Sequence, residues 1–282
     1  MNTTPLVSVI IPCFNSGKTL SRTLNSLESQ TYFNIEIIIV NDGSNEISTI
    51  KALQEFSKNQ TINIIDQENL GLSAARNKGI SSAKGEYIIP LDADDWLEPE
   101  AIKLMVSSIL LKSSKSIVYS DIYLHGDRTG IKKTFCNPFE QLFSNQLPYC
   151  MLFPKSVLME LGGYDQDFKI GFEDWELNLR LFQNHCSFYK INKPVFNYSV
   201  SNNGMLKAKS LPNFAYILGK IRKKNISRFK FSKLLVQYKN AIQIASNRPI
   251  FVYFLFDIAF RIFPDQIINM LLRLMLTVQR EK

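Results

Sequence analysis

Residues 6–40, LVSVIIPCFNSGKTLSRTLNSLESQTYFNIEIIIV, decide the fold. Leu6–Ile11 is an apolar, largely β-branched run, Lys18–Ser29 sets Leu20, Thr23, Leu24 and Leu27 at helical spacing, and Ile35–Val40 is a second apolar run. Strands that are apolar on both faces must be covered on both faces, and when they alternate with helices they form a parallel sheet with right-handed crossovers. Outward from that stretch the alternation continues: a helix is expected over Ser48–Lys58, a strand over Ile62–Ile65, a helix over Leu72–Ser82 and a strand over Tyr87–Leu91. After Pro99 the pattern loosens. The expected elements there are a helix at Glu100–Leu111, a strand at Ile117–Asp121, an irregular stretch to Pro148, helices at Ser156–Leu161 and Glu173–Phe182, and a strand at Val195–Val200.

The 282 residues are 45% hydrophobic and 21% charged, which excludes a wholly disordered or disulfide-stapled chain. Cys13, Cys136, Cys150 and Cys186 are scattered without a CxxC pair, so reduced thiols are expected rather than a zinc knuckle. The start, MNTTPLVSVIIPCFN, lacks the basic and long apolar regions of a signal peptide, and a cytoplasmic location is the expectation. The net charge of +8 divides unevenly: residues 205–282 hold 15 Lys/Arg against 3 Asp/Glu (+12), and residues 1–204 hold 18 against 22 (−4). The domain boundary is therefore expected near Met205, with a mixed α/β body over 1–204 and a helical, basic extension over 205–282.

In open α/β sheets, ligands sit beyond the carboxyl ends of the strands. Pro12-Cys13-Phe14-Asn15, Asn41-Asp42-Gly43-Ser44 and Asp92-Ala93-Asp94-Asp95 follow three of the expected strands, so three polar loops should meet at one sheet edge. Asp42 suits either a turn that caps the next helix or a carboxylate reading a nucleobase edge beside the Phe14 ring. Asp92, Asp94 and Asp95 read either as a solvated acidic turn or as oxygen ligands for a hard cation shared with a diphosphate. Glu173-Asp174-Trp175-Glu176 opens a helix, where acids favour the dipole, and one of these carboxylates could equally act as a general base.

Taken in order, VSVIIPCFN, IIIVNDGS, ENLGLSAARNKGI, YIIPLDADDWLEP, LGGYD and GFEDWELNLRL resemble the inverting, nucleotide-sugar-dependent glycosyltransferases of family 2, whose fold is GT-A. The resemblance covers roughly residues 5–200. It implies that Pro12, Phe14, Asn15 and Asp42 contact the base and ribose of a donor such as a UDP-sugar, with Arg76 and Asn77 near the nucleotide. It further implies that Asp92 faces the ribose, that Asp94, aided by Asp92, holds Mn²⁺ or Mg²⁺, and that Asp174 is the base. Gly163, Tyr164, Asp165 and Glu173 would border the donor sugar and acceptor, and the sugar moved would be a hexosyl or N-acetylhexosaminyl group. Many relatives carry a metal-binding histidine after the last strand. Here the run is Tyr198-Ser199-Val200-Ser201, which leaves a catalytically silent nucleotide-sugar-binding or scaffold protein as the alternative.

In the extension, IFVYFLFDIAFRIF (250–263) and IINMLLRLMLTV (267–278) are too short and too interrupted to span a bilayer. Lys220, Arg222, Lys223, Lys224, Arg228, Lys230 and Lys233, with Phe229 and Phe231, suit the anionic inner face of a cell membrane. A helical cap on the body is the competing expectation. Nucleic acid is a weaker partner, because no recognised module accompanies the charge. The acceptor implied by the resemblance is a glycan or a lipid-linked glycan used in cell-surface polysaccharide synthesis.

Overall fold

The computed structural model describes residues 4–110, 112–201, 204, 208 and 210–225, and beyond these the single residues 238, 253, 255, 258, 262 and 267. The described elements, in chain order, are β1 (Val7–Cys13), α1 (Gly17–Glu28), β2 (Ile35–Asp42), α2 (Ile47–Phe56), β3 (Ile62–Gln67), α3 (Leu72–Ser82) and β4 (Tyr87–Pro90). They continue with β5 (Trp96–Leu97), α4 (Ala101–Ile109), β6 (Ser116–Tyr119), β7 (Ile122–Gly126), β8 (Gly130–Lys132) and a 3₁₀ turn at Glu140–Leu142. Last come β9 (Phe153–Pro154), α5 (Lys155–Glu160), α6 (Glu173–Gln183), β10 (Ser187–Lys190), β11 (Phe196–Val200) and α7 (Phe214–Lys224).

The main sheet has the order β3-β2-β1-β4-β9. It is parallel except where β9 pairs with β4, and its register runs unbroken from Val7↔Ile35 to Cys13↔Asn41. Every residue of β1 is buried, as its apolar run requires of a central strand. The predicted face of α1 is the buried one, with Leu20, Thr23, Leu24 and Leu27 turned inward. Helix α3 lies close against β1 because Gly79 has no side chain; a Cβ there would sit 2.2 Å from Ile10 Cγ2. The architecture is the mixed, mostly parallel α/β fold expected from residues 6–40, and it is GT-A-like.

The second half departs from the expected single strand and long irregular stretch. Strand β6 pairs with β10, and two residues later the chain enters another sheet, β5-β11-β7-β8. Asp121 makes that switch: it accepts the Thr134 N–H (2.8 Å) and pairs with Lys190 (2.5 Å) and Lys133 (3.1 Å). Strands β7 and β8 are short, the first ending at Gly126 and the second starting at Gly130, so neither shows a readable run.

Two compact units are present. One comprises Met1–Thr134, Leu147–Lys169 and Glu173–Ser201; the other comprises Phe135–Gln146, Ile170–Phe172 and Asn202–Lys282. Within the second, the Tyr253 ring lies 4.9 Å from both Phe139 and Phe143, and Phe172 meets Phe214 edge-on at 5.5 Å. Lys220, Arg222, Lys223 and Lys224 belong to α7, whereas Arg228, Phe229, Lys230, Phe231 and Lys233 lie outside the described residues. No helix among the described residues is long and apolar enough to cross a membrane. All four cysteines are free thiols, three of them buried.

Candidate active site

Three loops at the carboxyl edge of the main sheet are tied by side chains rather than left to solvent. Pro12 lies in β1 opposite Val40, and the Phe14 ring after it is 46% exposed. Asn15 takes a positive φ of 52°. Its Oδ1 accepts the N–H groups of Asn45 and Glu46, both at 3.0 Å, where α2 begins. It thereby satisfies, from a different loop, two backbone donors at the entry to α2. After β2 the turn is made by Asn41, whose Oδ1 accepts the Ser44 N–H at 3.0 Å. Asp42 does something else: one carboxylate oxygen accepts from Gln67 Nε2 (2.7 Å) and the Leu70 N–H (2.9 Å), the other from the Gly71 N–H (2.9 Å). That buried carboxylate shapes the loop entering α3.

The three acids after β4 divide their work. Asp95, fully buried, accepts the Ser199 N–H (2.7 Å) and the Tyr149 hydroxyl (2.5 Å), while the Tyr149 oxygen accepts the Asp92 N–H (3.0 Å). Burial first, then the neighbouring charges of Asp94 and Asp92, push its pKa well above the usual carboxylate range. Asp94 is open to solvent but sits in a recess, and desolvation followed by the Asp92 charge raises it to about 6. The Asp94 carbonyl accepts from Ser199 Oγ and from Arg22 Nη2 (2.7 Å), and the Arg22 guanidinium lies 3.9 Å above the Trp96 ring. His125 is bonded to Asn197, and its ring is tilted 42° against Trp96 with ring centres 4.5 Å apart.

Among the described residues, no three His, Cys, Asp or Glu side chains form a group that could hold a metal ion. The donors available are the Asp94 carboxylate and the part of Asp92 not engaged by arginine. Such a set suits Mg²⁺ or Mn²⁺ when phosphate oxygens complete the shell, as is usual for a hard cation held by one or two carboxylates and a substrate diphosphate.

The third part is built on charge. Arg76 is 1% exposed; its Nη2 donates to Asp92 at 2.7 Å and its Nη1 to Glu173 at 2.5 Å. The two carboxylates outweigh the desolvation of the guanidinium and keep it ionised. The arginine is thus a buried bridge between two carboxylates and not a surface ion pair. Burial pushes the Glu173 pKa upward, Arg76 opposes it, and Asp174 adds to it. Asn77, one residue along, grips the 162–165 loop: its Oδ1 accepts the Tyr164 N–H and its Nδ2 donates to the Tyr164 carbonyl, both at 2.7 Å. Gly163 has φ +71°, and a Cβ would stand 2.3 Å from Asn77 Oδ1, so glycine is required twice over. Arg180 supports the same loop by donating to the carbonyls of Leu161 and Gly163 (2.8 Å each) while paired with Glu176. Asp165 accepts the Asp167 N–H at 2.9 Å, and Asp174, in the first turn of α6, accepts the Trp175 N–H at 2.8 Å.

Tyr149, Ser199, Arg22 and Arg180 escaped the sequence reading. Only Arg180 carried a signal, its i,i+4 spacing from Glu176. The others act across sequence separations that no local pattern reports.

The model of the glycosyl transferase family 2 matches residues 8–159, more than half of the chain, and the chain belongs to that family. The glycosyltransferase GlyA of Streptococcus pneumoniae is 30% identical over 218 residues, which cover 71% of this chain and 31% of GlyA. The hyaluronan synthase of Pasteurella multocida is 36% identical over 121 residues, 43% of this chain and 12% of the synthase. The chain spans less than a third of the length of these curated relatives. Among solved structures, TarS of S. aureus in complex with UDP-GlcNAc superimposes with a TM-score of 0.63 at 19% identity, covering 77% of this chain and 65% of that one. At that identity the likeness concerns the fold.

Proposed function

We propose that this glycosyltransferase moves a sugar, a hexosyl or N-acetylhexosaminyl group, from a UDP-sugar to a glycan or lipid-linked acceptor with inversion, in building a cell-surface polysaccharide. The observation that carries the reading is that, within one unit, Arg76 joins the loop after β4 to the acidic first turn of α6, while Asn15 ties together the loops after β1 and β2 at the same sheet edge. The exposed Phe14 ring offers a stacking face for a base, and Asp42 holds the adjoining loop in shape. Hyaluronan synthase among the relatives and UDP-GlcNAc in the TarS complex support the donor and product classes.

In glycosyl transfer, positive character grows on the sugar ring as the leaving group departs. A divalent cation held by Asp94 and Asp92 would neutralise charge on the leaving diphosphate. Asp174 takes the proton of the acceptor hydroxyl as that oxygen attacks the anomeric carbon from the face opposite the diphosphate. Asn77, Gly163 and Arg180 hold the loop of Tyr164 and Asp165 beside the sugar and acceptor. Glu173, paired with Arg76, serves position rather than proton transfer.

The extension, at +12, is the part that meets the anionic inner face of the membrane. Leu255, Ile258 and Ile262, helical and 60%, 49% and 67% exposed, have the spacing of one apolar face. Co-sedimentation of the full chain with phosphatidylglycerol vesicles should be strong at low salt and fall as salt rises; a chain that stays in the supernatant at low salt removes this part of the reading. The enzymatic part is tested by a thermal-shift panel of nucleotide sugars with Mn²⁺, followed by donor consumption with membrane extract. Donor that binds and is never consumed would establish the silent-binder reading instead, which the serines at 199 and 201 keep in view.

A further inference from the structure

Arg76 is tied to two carboxylates that lie 16 and 97 positions away in the chain, and both of its terminal nitrogens are taken by them. Its guanidinium carbon lies 5.0 Å from the ring centre of Tyr149 and 5.1 Å from that of Tyr164. Both rings are themselves fixed: the Tyr149 hydroxyl by Asp95 and the Asp92 N–H, the Tyr164 backbone by Asn77. Nε is buried with no partner, so the side chain keeps this pose without satisfying every donor. Both terminal nitrogens are thus committed to carboxylates of this chain, and the side chain is 1% exposed.

We propose that Arg76 is a positioning residue that couples the donor-side carboxylate Asp92 to the turn carrying Glu173 and Asp174. The coupling rests on the functional reading above, in which Asp92 faces the donor and Asp174 takes the proton. Its physical basis is that breaking either buried pair strands a charge, so Asp92, Arg76 and Glu173 move as one body. Donor bound at Asp92 thereby fixes the start of α6, and Asp174 with it. The planar fork matters as much as the charge: a lysine ammonium is a compact charge that does not reproduce a two-pronged span.

The test uses Arg76→Lys and Glu173→Gln in the full chain, with UDP binding by calorimetry and steady-state turnover of the sugar nucleotide the parent accepts. Arg76→Lys should keep the UDP Kd within about 3-fold of the parent while kcat falls about 10²-fold, the scale expected for a displacement of about 1 Å at the reacting groups. Glu173→Gln should lower kcat about 10-fold and add little once Arg76→Lys is present, because both break one unit. A UDP Kd raised about 10-fold or more with kcat unchanged would make Arg76 a donor contact and overturn the proposal. So would kcat and Kd both unchanged beside a lowered Tm. If Arg76→Lys does not fold, Glu173→Gln alone decides: the kcat loss without loss of UDP affinity supports the coupling, and parent-like kcat refutes it.

A urea-unfolding cycle of Asp92→Asn and Glu173→Gln needs no substrate and separates the two readings. A parent that consumes no nucleotide sugar refutes the functional reading and this one with it. A parent that turns donor over, yet shows Asp92→Asn and Glu173→Gln additive in both unfolding and kcat, refutes the coupling alone.

Discussion

From Val7 to Pro90 this unit is held by an unbroken parallel ladder, and its loops are closed by side chains that accept backbone N–H groups, such as Asn15 from Asn45 and Glu46 and Asp42 from Leu70 and Gly71. From Ser116 to Val200 the strands are short, the chain changes sheet, and the joints are charged: Asp121 with Lys190 and Lys133, Glu176 with Arg180, Glu173 with Arg76. A ladder loses little when one side chain changes, since its bonds are in the backbone. A buried charged joint fails when either partner is removed or titrated. On the proposed reading, the first region would be a platform for binding and the second a set of braces that orients the reacting groups.

Four outcomes would break or sharpen that contrast. The largest is expected at the head of α6, where Asp174→Asn should lower kcat by roughly 10²-fold, about 2.7 kcal/mol of activation free energy, with UDP affinity unchanged by calorimetry. A fully active Asp174→Asn enzyme would place the base elsewhere and dissolve the division of labour.

Next comes pH. Burial alone would raise the Asp121 pKa, but the hydrogen bonds and charges of Lys190, Lys133 and the Thr134 N–H outweigh it and lower the pKa from 3.8 to about 2. A depressed folded-state pKa gives stability that is present above pH 3.8 and lost as pH falls towards 2, here about 2 kcal/mol. In urea unfolding, the stability gap between the parent and Asp121→Asn should therefore shrink between pH 5 and about pH 2. A gap that stays constant across that range would show that the Asp121 joint is not held by charge.

Asp94→Asn should weaken UDP binding about 10-fold in Mn²⁺, near 1.4 kcal/mol, and leave binding in EDTA unchanged. Equal losses with and without metal would transfer Asp94 from the cation to the general shape of the turn. The smallest effect belongs to the platform: Asn15→Ala removes the two hydrogen bonds to the backbone at the entry to α2 and should cost about 1 kcal/mol, equally at pH 5 and pH 8, in thermal unfolding. A pH-dependent loss there would blur the contrast between the two regions.

The platform was legible because its elements are longer than the ambiguity of their ends. Leu72–Ser82 is observed as read, and the strand expected over Ile62–Ile65 runs only two residues further. The braces were not, and the reason is distance. Strands β7 and β8 carry no apolar run and exist because Asp121 meets lysines 12 and 69 positions away. Family resemblance supplied Arg76 and Asn77 as site residues, but periodicity could not tell that the first is sealed between two tyrosine rings and the second copies a strand pairing with Tyr164. The resemblance gave roles to Asp92 and Asp94 and none to Asp95, which in the structure is the one of the three acids wholly enclosed.

The four thiols carry a chemical consequence of their own. Burial pushes the pKa of each upward, to about 12 for Cys136, and Cys13 lies directly behind the Phe14 loop. Since the thiolate is the reactive form, the native thiols should react slowly with alkylating agents and mild oxidants, Cys136, the one only partly buried, being the fastest. A cysteine placed at the 91% exposed Phe33 would then be the preferred target of a maleimide dye, giving a singly labelled enzyme without the removal of any native residue.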